Sequence, residues 1–466
     1  MLDKLHARKP VPSPAYWITS SLILLYPIIL RLPFAFGHRY DVPVRAFVLL
    51  PILAGLGYQL WVIKKNDISI RYEIRGMRLV LGFFLLWLVA YVRTALRYDV
   101  LGRIFLFLDV LGVILFCSLV FLCFQISPSG GDRRVRRFVV LSFAGYVLSN
   151  LILNQLGIHP NDRIFLAEYP RQLLAFIGLP GPRVFFPMSN GMNDYGSLAA
   201  IVMVGSLLLV TIRSSWPFRI AGLGVACFAL VTILLVDSRG ALLASFASIG
   251  MVIFMGKWPR ILFPIAVGFS LSPILFAPFL ESYSLSHLEV LMRAPSSFSE
   301  DSQPQSEADP CEDMLKNSTG ALSNRTIVWR IALAEISAPK PVHLFGYGYR
   351  GQVDSGLAMQ YACLFKSYAI SNRASLHQVW LQLWIDLGYL GLFVMVVILY
   401  STAIRFGDSY AVTADDTYRS LMGMLICVIL IGMLEPALSP DYNEVFMLIC
   451  VILVAGISPS GDASSR

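Results

Sequence analysis

Charged residues are scarce in this chain. They make up 14% of its 466 residues, whereas hydrophobic residues make up 56%. Because a soluble domain carries about a quarter charged residues, the composition excludes an ordinary soluble protein and indicates a membrane protein. Lysine and arginine outnumber aspartate and glutamate by 37 to 29. No basic segment is interleaved with aromatic residues, however, so we expect no nucleic-acid partner.

Outward-facing cysteines and metal ligands are also scarce. Of the 7 cysteines, most fall in apolar stretches, where cysteine behaves as a small apolar residue. Only Cys311 and Cys363 lie elsewhere; they either form a disulfide or remain two thiols, and the sequence leaves both outcomes open. No Asp-x-Asp pair and no cluster of histidine, cysteine and carboxylate faces outward. The sequence therefore predicts neither a metal ion nor another cofactor.

Long apolar runs, by contrast, recur along the whole chain. About twelve of them are long enough to cross the ~30 Å hydrocarbon core of a bilayer. They cover residues 15–36, 44–63, 78–96, 101–124, 138–158, 193–212, 217–236, 240–256, 260–279, 378–404, 418–439 and 444–457. The predicted fold is all-α. It is a polytopic membrane protein with transmembrane helices in 1–279, a large periplasmic loop in 280–377 and further transmembrane helices in 378–466.

Basic residues predict the orientation of these runs. They cluster in the N-terminal tail and in the loops after the second and fourth runs, as at Lys64, Lys65, Arg133 and Arg134. Such segments are cytoplasmic by the positive-inside rule. We therefore expect both termini in the cytoplasm and residues 280–377 on the outer face. The first apolar run is too long for a cleavable signal peptide.

The outer loop divides into two parts. Residues 294–319 are rich in serine, proline and acidic residues, which predicts a mobile stretch. The following segment predicts an amphipathic helix that is capped by Ser323 or Asn324 and ends at Pro339. An aromatic, glycine-rich turn, Phe345–Tyr349, comes next.

A single histidine, His377, stands where the outer loop meets the next apolar run. An imidazole at an aqueous boundary can take a proton near neutral pH, so His377 is a candidate general base; the alternative is a histidine that only anchors its helix. Asp386 lies nine residues further on, which on a helix is a rotation of roughly 180°. A carboxylate that orients His377 must therefore come from another element.

Several arginines face outward, against the positive-inside tendency. They are Arg93, Arg97, Arg103, Arg239 and Arg325. A guanidinium presents a fixed fork of donors that matches phosphate oxygens; the alternative is snorkelling or pairing with acids such as Asp99 and Asp237. We favour pairing for Arg93 and Arg103. We favour phosphate binding for Arg239, since a charge held between two apolar runs is costly and indicates function.

Three separated segments resemble the motifs of one family. Ser238–Leu243 looks like a Ser-Arg-Gly signature at the start of a span. Arg325 to Trp329, followed by Phe345–Gly348, resembles an Arg-x-x-x-Trp helix with a Gly-x-Gly turn. His377-Gln378, followed after nine residues by Gly388–Gly391, is similar to a histidine motif that ends in Gly-x-x-Gly. Together they resemble the O-antigen ligase and O-antigen polymerase superfamily of bacterial envelope glycosyltransferases, over about residues 190–395.

The resemblance implies a reaction and a site. A glycan carried on undecaprenyl diphosphate would be transferred to an acceptor hydroxyl outside the inner membrane. The motifs are most similar to those of ligases that attach O-antigen to lipid A-core, and such an enzyme would also contact membrane lipids. His377 would be the base, and Arg239, Arg325 and Arg97 would bind the diphosphate. Asn193 and Gln378 would give support. Arginines can neutralise the leaving diphosphate without a metal, and one displacement would invert the anomeric centre.

The sequence is also compatible with other functions. Polymerases of O-antigen or exopolysaccharide and protein O-oligosaccharyltransferases share these motifs and differ in the acceptor. A secondary transporter would also have about a dozen spans, but its glycine and proline interruptions should recur in two halves, and here they do not.

Overall fold

The computed structural model describes residues 13–38, 41–68, 70, 74–96, 100–127, 132–158, 171–175, 178–179, 181–189, 191–210, 216–282, 321–361, 375–440 and 443–456. Within these ranges the chain is helical and contains no strand, which confirms the all-α class. Arg97, Asp99, Cys311, Cys363 and the stretch 294–319 lie outside the described residues.

The first part of the chain forms a bundle of long apolar helices. They are α1 (Ser13–Ala35), α2 (Val42–Phe47), α3 (Leu50–Lys65), α4 (Ile74–Ala95), α5 (Val100–Ile126), α6 (Asp132–Val140) and α7 (Ala144–Gln155). Two short breaks divide otherwise continuous spans, so α2 with α3 and α6 with α7 each cover one candidate membrane crossing.

The second part supplies the central helices and the outer loop. Its elements are α8 (Gln172–Ala175), α9 (Met192–Leu209), α10 (Trp216–Val236), α11 (Arg239–Met255), α12 (Pro259–Ser282), α13 (Ala321–Ser337), α14 (Gly351–Asp354), α15 (Leu357–Gln360), α16 (Val379–Thr413), α17 (Asp416–Ile431) and α18 (Asn443–Ala455). Helix α9 lies at the centre of the bundle. It packs against α10, α11 and α17, and most of its residues are buried.

Each of the expected apolar runs coincides with a helix. Among the described residues, 8 helices are long and apolar enough to cross a membrane. The chain is therefore a multi-pass membrane protein. Helices α11 and α18 and the apolar part of α12 are shorter, as is α17 with 16 residues. The count of twelve and the periplasmic position of the loop thus stay predictions.

The bundle has two chemically different ends. At the basic end, Arg133 and Arg136 both pair with Asp415, at 3.0 Å each. These are the segments that the sequence assigns to one side of the membrane. The opposite end carries the starts of α9, α11 and α16. These ion pairs place the loop before α6 and the loop before α17 at the same end of the bundle; the side of the membrane on which each end lies stays a prediction.

Helix α16 is broken at Gly388, where φ is 71° and ψ is −174°. Because the helix is broken there, the carbonyls of Ile385 and Asp386 lose the N–H donors that the next helical turn would provide. The aromatic turn provides donors in their place: Tyr347 N donates to Ile385 O at 2.8 Å, and Gly348 N donates to Asp386 O at 3.0 Å. The two glycine motifs of the sequence therefore dock onto one another.

A half-buried carboxylate, Glu335, lies at the base of this turn. Glu335 Oε1 accepts hydrogen bonds from His343 Nε2 and Tyr347 Oη, both at 3.1 Å, and from Lys340 Nζ. Burial alone raises the pKa of the Glu335 carboxyl, but these hydrogen bonds outweigh burial and hold the pKa below its ordinary value of 4.5. The charged form of Glu335 is therefore part of the fold.

The predicted cap of the loop helix was wrong. Helix α13 begins at Ala321, so Ser323 and Asn324 lie within its first turn. Alanine and leucine are strong helix formers, and Ala321 and Leu322 extend the helix back to the residue after Gly320. The end is as expected, because Ser337 closes the helix just before Pro339.

Candidate functional site

His377 lies immediately before α16 in an unusual backbone conformation. Its φ is 52°, in the left-handed region that non-glycine residues seldom occupy. The preceding residue fixes this geometry: Leu376 N donates to Gln382 Oε1 at 3.1 Å, and Leu376 O accepts from Trp329 Nε1 at 3.0 Å. Two buried side chains thus hold the backbone that carries the imidazole.

Gln378 has a structural position. Its side chain is buried, and its Oε1 accepts from Leu381 N at 2.9 Å, which caps α16. Its Nε2 donates to Ser270 O on α12 at 3.1 Å. Gln378 therefore ties the start of α16 to α12.

Glu435 is the carboxylate that contacts His377. Its Oε2 lies 3.5 Å from His377 Nδ1, and the two side chains are 9% and 23% exposed, respectively. Its Oε1 accepts from Arg325 Nη2 at 2.7 Å and from Asn193 Nδ2 at 3.0 Å. One carboxylate therefore joins three of the residues predicted from the sequence.

Glu435 is not among the site residues predicted from the sequence. It falls at the end of the apolar run 418–439, and a carboxylate within such a run is costly and often functional. That signal was available, but nothing in the sequence indicates which residues it contacts. The carboxylate that contacts His377 lies in another element of the chain, and that Glu435 orients His377 stays a prediction.

The Arg-x-x-x-Trp spacing of α13 has a direct geometric reason. Residues four apart lie on one face of a helix, so Arg325 and Trp329 reach the same region. Arg325 Nη1 donates to Leu434 O at 2.9 Å, beside Glu435, while Trp329 binds the backbone of Leu376. The motif thus supports both the carboxylate and the histidine.

Asn193 is oriented by a second arginine that the sequence analysis missed. Arg183 Nη2 donates to Asn193 Oδ1 at 3.1 Å, and Arg183 Nε donates to Val236 O at 2.7 Å. Because the amide oxygen of Asn193 faces Arg183, its amide nitrogen faces Glu435. Arg183 thereby connects the end of α10 to the site.

Arg239 is the first residue of α11, and its side chain is exposed. In the part of the chain that the structure describes, no hydrogen bond or ion pair is recorded for it. Its neighbour Asp237, with φ of 59°, accepts from Leu173 N at 2.7 Å. An added Cβ at Gly240 would meet Leu434 Cδ1 at 3.0 Å, so the start of α11 lies against the segment that holds Glu435.

The remaining candidate residues lie apart from these contacts. Arg93 Nη1 donates to Phe345 O at 3.1 Å and so anchors the aromatic turn, whereas Arg103 Nη2 lies 3.5 Å from Leu96 O. The buried Asp386 accepts from Gly351 N at 2.8 Å and from Gln382 Nε2 at 2.9 Å. Arg97 lies outside the described residues. Over the described ranges, no group of three or more potential metal ligands occurs.

The fold and site define a multi-pass helical membrane protein that gathers a histidine, a glutamate, arginines and an asparagine at one end of its bundle. Residues 224–396 match the family model described as O-antigen ligase. The match supports the O-antigen ligase superfamily, which the motifs of this segment also resemble. It likewise supports a membrane glycosyltransferase of the type that includes O-antigen ligases and polymerases. A search of curated proteins found no match.

The matched segment contains Arg239, Arg325, His377 and Gln378. Asn193, Arg183 and Glu435 lie outside it. The site described here is therefore completed by residues on both sides of the family segment.

Proposed function

We propose that this protein is an inner-membrane glycosyltransferase that moves a glycan from undecaprenyl diphosphate to an acceptor hydroxyl, as an O-antigen ligase does with lipid A-core. The observation that carries the proposal is Glu435, whose two oxygens connect His377 to Arg325. Glu435 thus holds a candidate base, His377, next to a cation, Arg325. This arrangement suits a reaction in which the acceptor hydroxyl loses its proton while the anionic diphosphate leaves.

His377 acts as the general base. Its Nδ1 faces Glu435, so Nε2 is the nitrogen that accepts the proton of the acceptor hydroxyl. The distance of 3.5 Å is long for a hydrogen bond, as is common for catalytic contacts without substrate. Glu435 then stabilises the imidazolium that forms.

Arginines receive the leaving group. The acceptor oxygen bonds to the anomeric carbon as the bond between that carbon and the diphosphate oxygen breaks, which inverts the centre and releases undecaprenyl diphosphate. Arg239 is the principal diphosphate ligand because its guanidinium is exposed at the site. Arg325 already donates hydrogen bonds to Leu434 and Glu435, so it stabilises the leaving diphosphate mainly through its nearby positive charge. Arg97 stays a candidate third ligand.

The proposed orientation places both termini in the cytoplasm and the site on the periplasmic side. The pairing of Arg133 and Arg136 with Asp415 at the basic end supports it, because basic residues favour the cytoplasmic side. The opposite end, with His377 and Glu435, then faces the periplasm.

The test is transfer by the purified protein in lipid nanodiscs, with glycan-linked undecaprenyl diphosphate and separate acceptors. We expect lipid A-core to be glycosylated. His377→Ala should lower the rate by at least about 100-fold, as loss of a general base does, with unchanged expression and insertion. The matched control is His38→Ala, an exposed histidine paired with Asp41, which should behave as wild type.

Two results would contradict this assignment. Wild-type transfer by His377→Ala would remove the histidine from the mechanism. Elongation of the lipid-linked glycan itself, with no use of lipid A-core, would identify a polymerase, and glycosylation of a protein acceptor would identify an oligosaccharyltransferase.

A further inference from the structure

The left-handed backbone of His377 depends on the peptide group that precedes it. A residue with a side chain keeps such a conformation only where its surroundings fix it. The carbonyl of Leu376 belongs to the peptide bond that leads into His377, so its direction sets the φ of 52° at His377. This carbonyl accepts from Trp329 Nε1 at 3.0 Å, and the N–H of Leu376 donates to Gln382 Oε1 at 3.1 Å. The side chain of Gln382 is therefore one of two that determine where the imidazole lies.

The amide of Gln382 can make these contacts in only one orientation. With Oε1 towards Leu376, its Nε2 donates to Gln352 Oε1 at 2.8 Å and to Asp386 Oδ1 at 2.9 Å. The reverse orientation would place Nε2 against the N–H of Leu376, donor against donor, and Oε1 against Asp386, acceptor against acceptor. Gln352 cannot impose the choice, because a second amide can offer either of its ends. A carboxylate only accepts, so Asp386 fixes the orientation.

Asp386 is itself held in place by two donors. It lies four residues after Gln382, and residues four apart share one face of a helix. Its Oδ1 also accepts from Gly351 N at 2.8 Å. A Cβ on Gly351 would lie 2.5 Å from Ile385 O, so the backbone of the outer loop comes very close to α16 there. The side chain of Asp386 is only 1% exposed, and a buried carboxylate needs such donors.

We propose that Asp386 is a positioning residue for His377. It acts through the amide of Gln382 and the peptide of Leu376, although it lies about 10 Å along α16 from the start of that helix. The inference rests on the proposed function, in which His377 is the base. Displacing the base leaves the groups that bind donor and acceptor in place, so loss of these contacts should change kcat rather than KM.

Substitutions at Asp386 and Gln382 test this role. Asp386→Leu and Gln382→Met should each lower kcat by about 10- to 100-fold, since a displacement of about 1 Å can cost that much, and KM for donor and acceptor should not change. Asp386→Asn keeps an oxygen for Gly351 N and Gln382 Nε2, so it should retain most of kcat. The matched control is Thr402→Val, at a buried hydroxyl of α16 that donates to Ile398 O at 2.8 Å; it should behave as wild type.

A double-mutant cycle separates positioning from a general loss of structure. Asp386→Leu should lower the rate of wild type but not the residual rate of His377→Ala, because it acts only through the imidazole. A drop of similar size in the His377→Ala background would overturn the proposal. A rise in KM without a change in kcat, or equal losses in Asp386→Asn and Asp386→Leu, would overturn it as well.

Chemical modification provides a readout that does not need turnover. Diethyl pyrocarbonate modifies imidazole nitrogens, and peptide mass spectrometry follows His377 and His38 in the same sample. The side chain of His377 is 23% exposed and that of His38 is 55% exposed, so His377 should react more slowly in wild type. Asp386→Leu should raise the rate at His377 towards that at His38, whereas Asp386→Asn should not.

The two measurements distinguish failure of the positioning role from failure of the proposed function. If modification changes as expected while wild type glycosylates no acceptor, the proposed function fails and the positioning of His377 by Asp386 stands. An unchanged modification rate at His377 in Asp386→Leu would overturn the positioning role even if transfer is observed.

Discussion

At the scale of single residues, Glu435 determines how the site is arranged. A carboxylate that is 9% exposed needs compensating donors, and Arg325, Asn193 and His377 surround it. Removing Arg325, the cation that pairs with Glu435 at 2.7 Å, leaves a buried charge unpaired, which destabilises the fold. Arg325→Ala would therefore change the position of His377 as well as weaken binding of the lipid-linked donor. Arg239, which is exposed, gives the cleaner test of diphosphate binding.

Arg239→Ala should raise the KM for the lipid-linked donor by about tenfold or more, because a hydrogen bond to a charged group contributes about 1.5–3 kcal/mol. Arg239→Lys should recover only part of this, since an ammonium lacks the bidentate fork. Donor saturation curves of the purified variants measure the effect. Arg103→Ala, at another exposed arginine, is the matched control. Normal saturation by Arg239→Ala would end the diphosphate assignment.

At the scale of elements, the break in α16 is what brings the outer loop to the site. The turn at Gly346–Gly348 covers the carbonyls that the break exposes, and it also reaches α4 through Arg93. This contact requires two glycines. A Cβ on Gly388 would lie 2.4 Å from Gly346 N and 2.6 Å from the carbonyl carbon of Leu344, so no side chain fits there.

Gly388→Ala should therefore separate the turn from α16 and reduce transfer to a few per cent or less. The positive φ alone costs about 1–3 kcal/mol for a residue with a side chain, and the backbone collision adds to this. Thermal unfolding and transfer rates measure the two consequences. Gly57→Ala in α3, where no atom lies within 4 Å of the added Cβ, should leave both unchanged. A Gly388→Ala protein with normal activity would show that the turn is dispensable.

The hydrogen bonds of Glu335 make the outer loop sensitive to acid. A group with a lowered folded pKa stabilises the fold above its unfolded pKa and loses that contribution as the pH falls through the folded pKa. Wild type should thus exceed Glu335→Gln in stability at neutral pH, by about 1 kcal/mol or less for such a partly solvated pair. The difference should begin to fall near the ordinary value of 4.5 and vanish once the pH lies below the lowered pKa of Glu335 in the folded protein.

Thermal unfolding across this pH range provides the measurement. A constant gap between wild type and Glu335→Gln at every pH would refute the role of the Glu335 charge.

At the scale of the whole molecule, helix length sets the depth of the site. Helices α11, α17 and α18 have 17, 16 and 13 residues, or about 20–26 Å at 1.5 Å per residue, less than the ~30 Å core. Helices α12 and α16, with 24 and 35 residues, are longer. Because Arg239 begins α11 and Glu435 follows the end of α17, we expect both to lie in a recess below the ends of the longer helices, where low dielectric strengthens each charge contact.

Transfer should continue at the wild-type rate in excess chelator, because the arginines of this recess neutralise the leaving diphosphate. The assay is transfer by purified protein after chelator treatment, with a mock-treated sample as control. If chelator stopped transfer and Mg²⁺ or Mn²⁺ restored it, the arginine account would fail. The first acids to replace would then be Asp99, Asp237 and Asp194, which lies in the first turn of α9.

Hydropathy and motif spacing are local properties, so the membrane class, the helical runs and the motifs around Arg239, Arg325 and His377 could be predicted from the amino-acid sequence. The contacts of Glu435 with His377 and of Arg183 with Asn193 became visible only in the folded bundle. Glu435 is 58 residues from His377 and 242 from Asn193. Contacts between residues so far apart depend on how the helices pack, and no local pattern specifies that packing.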